Sequence, residues 1–178
     1  MNIFRGIFIL IIIEVLAILG FIYSGFYNVS ALRSDPGPVY WVLQKTRERS
    51  VFYHSSGIRI PDGFSSLETK EGFRHYQEMC TGCHGAPGIK PSEISIGLNP
   101  SPPDLKEAAE ELQTPVLFWI VKNGIKMTGM PAFAPTHGDD SIWGIVAFLN
   151  RLPNISEEEY GTMKRMENIN KVNRHSLE

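Results

Sequence analysis

At 178 residues the chain is long enough for one modest domain together with an anchor or tail. Its 17 basic and 19 acidic residues leave a formal charge of −2 and a pI near 6.2, a balance that argues against a general nucleic-acid binder. The 16 glycines and 12 prolines point to a loop-rich fold.

From Ile7 to Tyr27 runs an apolar stretch of about 21 residues, broken by Glu14 and a few small side chains; roughly 20 suffice to cross a bilayer as a helix. A cleaved signal peptide is the rival reading, with Val29-Ser30-Ala31 as its small-residue site. The apolar part of such a signal normally runs only about 7–15 residues, so the length favours an uncleaved anchor. Glu14 is costly in lipid: it either meets a partner helix or is simply protonated. Arg5 and the amino terminus flank one end, and Arg33, Lys45, Arg47 and Arg49 follow the other, so charge alone orients the span poorly.

Ser34-Asp35-Pro36-Gly37-Pro38 reads as a turn or linker. Val39 to Arg49 then reads as a helix with Val39, Val42 and Leu43 on one face, and Lys45, Arg47 and Arg49 as a solvated face. Val51 to Phe64 reads as irregular, Pro61 stopping any strand. Ser65-Ser66-Leu67-Glu68 is a capping box that opens a helix to about Met79. Gly72, Tyr76 and Cys80 share one face of it, and a glycine inside a helix hints at close approach of a second helix. His75 lies off that face and reads as exposed.

The densest set of chemical groups is Cys80-Thr81-Gly82-Cys83-His84. Two cysteines three apart, followed at once by histidine, suit covalent c-type haem. Each thiol adds to one vinyl group, and the adjacent imidazole falls beneath the iron as proximal ligand. The rivals lack partners. A structural zinc site needs four ligands, and His54, His75 and His137 would complete one only by a coincidence of folding. A thioredoxin-like dithiol wants a βαβ context, and a plain disulfide leaves His84 unexplained. Such haem is attached after export, which places the domain on the periplasmic side of the membrane.

Gly85-Ala86-Pro87-Gly88 reads as a tight loop. The stiff run Asn99-Pro100-Ser101-Pro102-Pro103-Asp104 either walls a cofactor edge or is an ordinary surface loop. A short helix is expected over Leu105 to Leu112. Another starts with Thr114 as N-cap before Pro115 and stops at Asn123-Gly124. The loop from Gly124 to Phe133 carries two methionines. Pro131 biases Met130 towards an extended backbone, whereas Met127 reads most simply as a core gap-filler. The last clear helix runs from Asp139 or Asp140 to Leu152, with Ile142, Ile145, Val146, Leu149 and Leu152 as its apolar face. Ser156 to Glu159 is a second capping box, opening a further helix with a polar end.

From Leu67 to Leu152, about half the chain, the sequence resembles a class I cytochrome c domain. Gly72, Tyr76, Cys80, Cys83, His84, the Gly124-to-Phe133 methionine loop and Ala147-Phe148-Leu149 carry the resemblance. It implies an all-α fold around one covalent haem c, with Gly72 and Tyr76 crossing near Phe148. It also implies Met130 as the second axial ligand of the iron opposite His84. The flanking parts are similar to those of membrane-anchored monohaem cytochromes. The expected division is an anchor at 1–27, a linker with a juxtamembrane helix at 28–65, the haem domain at 66–153, and a C-terminal helix and polar tail at 154–178.

The expected function is thus a membrane-anchored one-electron carrier, a shuttle or a subunit in a respiratory or dehydrogenase chain, and not an enzyme in its own right. It would sit in the inner (cytoplasmic) membrane as a single-pass protein, with redox proteins and no nucleic acid as partners. The alternative is a haem enzyme or gas sensor with a displaceable axial ligand. By the resemblance, partners dock where the haem edge emerges, with Pro87, Ile89 and Phe133 as expected contributors.

Overall fold

The computed structural model describes residues 3–64, 67 and 69–175, which are helical with irregular connections. The chain divides into two compact units, Met1–Ser34 and Asp35–Glu178. The first holds α1 (Ile3–Ser24), a 22-residue helix of mean hydropathy 2.7 with no buried side chain, long and apolar enough to cross a membrane. It starts earlier than the hydropathy of the sequence suggests and stops at Ser24. There Gly25 turns left-handed (φ 65°) and the Ser24 hydroxyl donates back to the Phe21 carbonyl at 2.7 Å.

The second unit comprises α2 (Gly37–Ser55), α3 (Thr69–His75), a π-helical turn (Tyr76–Cys80), α4 (Thr81–His84), α5 (Glu93–Ile96), α6 (Leu105–Glu111), α7 (Thr114–Asn123), α8 (Asp139–Arg151), a 3₁₀ turn (Leu152–Asn154) and α9 (Glu157–His175). Its core is built on α8. Ile142, Trp143, Ile145, Val146, Ala147, Phe148 and Leu149 are all buried, so the helix is apolar round most of its circumference and is covered on several sides. α3 packs across one side and α7 along another.

The α3–α8 crossing is close enough to exclude a side chain. A Cβ placed on Gly72 would land on the carbonyl oxygen of Gly144 and 3.0 Å from the Phe148 Cβ. One turn on, Tyr76 lies against Phe148 with ring centroids 5.1 Å apart, and Phe73 meets the same ring at 5.4 Å. The expected packing of Gly72 and Tyr76 near Phe148 is what the structure contains. α9 joins this core as well. Tyr160 is fully buried, its ring 5.4 Å from Phe73 and its hydroxyl donating to Gln77 Oε1 at 2.8 Å.

Several local readings need correction. α2 runs on to Ser55, because nothing between Arg49 and Gly57 breaks a helix. Its C-terminal half, not Val39, Val42 and Leu43, supplies the buried residues Val51 and Ser55. The helix through Tyr76 does not end at Met79. It winds on through a π turn and α4 to His84. Thr114 does not cap α7; Gln113 takes that place, and the Thr114 hydroxyl accepts from Asn150 Nδ2 at 2.9 Å, tying α7 to α8. Ser156 does cap α9, accepting from the Glu159 N–H at 3.1 Å. The other capping box involves Ser65, Ser66 and Glu68, which lie outside the described residues.

The crossing makes a one-sided prediction. Gly72→Ala forces α3 and α8 apart and should cost about 1–3 kcal/mol, the usual range for overpacking. Gly144→Ala should be milder, since its added Cβ would come only within 3.9 Å of the Gly72 nitrogen. Thermal melts of the two variants check the order; equal losses would show that the close approach is not limiting.

Candidate haem-binding site

The π turn inserts one residue into the helix and ends on Cys80, the first of the cysteine pair, at a site where such bulges commonly serve function. The Thr81 hydroxyl donates to the Gln77 carbonyl at 2.9 Å within this stretch. Tyr76 is 1% exposed, and its hydroxyl donates to the Gly85 carbonyl at 2.9 Å, fastening the start of the π turn to the residue after His84. Burial pushes the phenols of Tyr76 and Tyr160 well above their usual range, so both remain donors.

The end of α4 exposes carbonyls that need partners, and the chain after His84 folds back to supply them. The Gly85 N–H donates to the Thr81 carbonyl at 2.9 Å. The Ser92 N–H and hydroxyl donate to the Gly82 carbonyl at 2.8 and 2.7 Å. The Ser95 hydroxyl donates to the Cys83 carbonyl at 2.7 Å. Gly85 makes the reversal possible. It has φ 71°, and a Cβ there would sit 2.7 Å from the Ile89 carbonyl oxygen. Each carbonyl from Thr81 to Cys83 is therefore held by the following loop.

Cys80 and Cys83 are both partly accessible and not joined in a disulfide. Burial, then the neighbouring Cys83, pushes the Cys80 thiol up to about 12. Among the described residues no group of three or more His, Cys, Asp or Glu side chains is placed to hold a metal ion. His84 Nδ1 lies 2.8 Å from the Pro103 carbonyl oxygen. A carbonyl only accepts, so Nδ1 carries the proton and Nε2 is left as the lone-pair donor. Two thiols and one oriented imidazole are a donor set that fits a covalently held haem iron. The stiff proline run is thus more than a surface loop, because its Pro103 carbonyl fixes the tautomer of His84.

Met130 lies in a loop whose backbone is tied at several points. Its N–H donates to the Thr128 hydroxyl at 3.1 Å, and its carbonyl accepts from the Ile125 N–H at 3.1 Å. Gly124, with φ 64°, lies directly beneath; a Cβ there would come within 2.7 Å of the Met130 carbonyl oxygen and 2.6 Å of the Pro131 carbonyl carbon. The reading of Met127 as a core residue is wrong. It is 92% exposed and has φ 62°, the left-handed conformation of a turn, so it fills no gap. Met130 is partly buried. A Cβ on Gly129 would meet Leu98 Cδ2 at 2.8 Å, so the segment that carries Pro103 also touches the Met130 loop.

Residues 67–149 match the family described as cytochrome C oxidase, cbb3-type, subunit III. This segment is a cytochrome c domain. No curated relative matches the chain. A cytochrome c domain implies a covalent haem c and the role of an electron carrier. Around it the sequence missed Ser92, Ser95 and Leu98, and it singled out the run containing Pro103 without the bond to His84. These residues act across 10 to 31 positions of chain, from Ser92 with Gly82 to Leu98 with Gly129, and no short-range pattern signals such pairings.

His75 is not exposed as the sequence suggests. Its ring packs edge-on against His137 at 4.9 Å, next to the methionine loop of the cytochrome c domain. Burial first, then the charge of Arg74 and the neighbouring His137, lowers its pKa. The folded state thus prefers neutral His75. The unfolded chain binds the proton first as pH falls through about 6.5, so stability drops in the acid direction and is unaffected above it. His75→Gln should flatten the decline in melting temperature between pH 7.5 and 5.5; an unchanged slope would remove His75 from the account.

Proposed function

We propose that the protein is a membrane-anchored one-electron carrier in which Cys80 and Cys83 hold a haem c through thioethers and His84 and Met130 are its axial ligands. The observation that carries this reading is the bond from His84 Nδ1–H to the Pro103 carbonyl, which leaves Nε2 as the coordinating atom directly beside the cysteine pair. Bound haem supplies the one-electron couple. The chain's own groups set its terms. His84, locked in one tautomer, and the Met130 thioether, on its tied loop, would both hold the iron and leave it no open position for a substrate. A thioether favours ferrous iron and raises the potential relative to two imidazoles. The apolar helix α1 supports the anchor, and attachment of such haem after export supports a domain on the periplasmic side of the inner membrane.

The docking edge differs from the sequence reading. Pro87 is buried, and Ile89 and Phe133 are partly buried and packed on the core. The exposed apolar side chains next to the motif are Ile94 and Ile96 on α5, which flank the Ser95 that binds the Cys83 carbonyl. The double change Ile94→Ser, Ile96→Ser should slow electron exchange with a partner severalfold while leaving the potential in place; Glu158→Lys should change it little. The reverse pattern, read by stopped-flow, would move the surface to α9.

Met130→Ala should abolish the weak long-wavelength sulfur–iron band of the oxidised protein, lower its potential and admit carbon monoxide. Met127→Ala should leave the band in place. If the band vanishes with Met127 and survives loss of Met130, the ligand assignment must be exchanged.

A further inference from the structure

The first turns of α2 present a packing problem. Tyr40, Trp41, Val42 and Leu43 are consecutive, so their side chains point to every side of the helix axis. All four are exposed, at 48, 61, 52 and 57%. A helix lying on a domain buries one stripe and turns polar groups outward. α2 buries side chains only further on, at Val51 and Ser55, where it packs on α7. A protein neighbour would cover one face of these turns. A surrounding medium covers all of them.

The order of residue types along the axis identifies the medium. Apolar and aromatic side chains occupy 39–43, and Lys45, Arg47 and Arg49 follow within roughly 9 Å of further rise. Tyrosine and tryptophan favour the boundary between hydrocarbon and headgroups, and Lys and Arg reach the phosphates beyond it. Chain connectivity supplies the proximity. Residues 25–36 separate the end of α1 from the start of α2 and span at most about 40 Å. This connection itself carries Phe26, Val29 and Leu32 at 83 to 93% exposure.

We propose that residues 39–43 of α2 insert into the interfacial layer of the lipid bilayer, with Lys45, Arg47 and Arg49 at the level of anionic headgroups. The inference rests on reading α1 as an anchor. It gives the chain a second point of attachment to the bilayer, in addition to α1.

The test uses the full-length haem-loaded protein in vesicles of phosphatidylcholine and phosphatidylglycerol. A nitroxide is placed in turn on Trp41→Cys, Val42→Cys and Leu43→Cys, with Ile13→Cys in α1 and Glu158→Cys in α9 as references. The relaxation by oxygen, relative to a water-soluble nickel chelate, reads lipid against water. Labels at 41, 42 and 43 should all show a ratio severalfold above that at 158, and the ratio should fall when phosphatidylglycerol is omitted. A ratio equal to that at 158 overturns the insertion. Exclusion of both reagents overturns it in favour of a covering protein. Indifference to lipid charge overturns the placement of the three cations. The label at 13 separates the two readings: lipid at 13 with water at 41–43 sinks this inference alone, whereas water at 13 sinks the anchor with it.

Discussion

The second unit depends on one close approach, that of α3 to α8 at Gly72 and Gly144. With no side chain between them, the two backbones meet, Phe73 and Tyr76 close on Phe148, and Tyr160 packs against the Phe73 and Tyr76 rings. Aromatic rings bury large areas, and edge-on or tilted arrangements such as these add to that burial. Every later feature of the site inherits its position from this crossing. The helix that carries Gly72 into it is the one that continues, through the π turn, to Cys80, Cys83 and His84.

From there the arrangement propagates by hydrogen bonds. Tyr76 reaches Gly85, the loop beyond returns to seal the carbonyls of α4, and Pro103 sets the imidazole of His84. On the other side of α8, α7 delivers Gly124 and the Met130 loop. The Phe133 and Ala134 N–H groups donate to the Val121 and Lys122 carbonyls at 3.3 and 3.0 Å, completing the end of that helix. An electron carrier gains from such rigidity, because little has to reorganise when the charge on its centre changes.

What is legible in the sequence is local. The haem motif is compact, the apolar face of α8 follows a helical period, and a glycine within α3 announces close packing. The resemblance then places Gly72 and Tyr76 against Phe148. Less legible is anything decided by partners far along the chain. Ser92 and Ser95 look like ordinary loop serines until the carbonyls of α4 are seen to need donors. Thr114 before Pro115 has the form of a cap, yet Asn150 claims its hydroxyl. The π turn has no composition of its own, and Met127 resembles a core residue only because methionine so often is one. The exposed start of α2 misleads for a related reason: its apolar residues suggest a buried face, yet Tyr40, Trp41, Val42 and Leu43 stay exposed.

A cytochrome c domain implies an electron carrier, and the two protein ligands proposed for the iron would leave it no position for a substrate. The most direct measurement is the visible spectrum of the purified protein, oxidised by air and reduced by dithionite, before and after exposure to carbon monoxide. The account predicts a low-spin c-type spectrum in both states that carbon monoxide leaves unchanged. A high-spin spectrum, or a reduced spectrum that shifts with carbon monoxide, would contradict it by showing an open position at the iron.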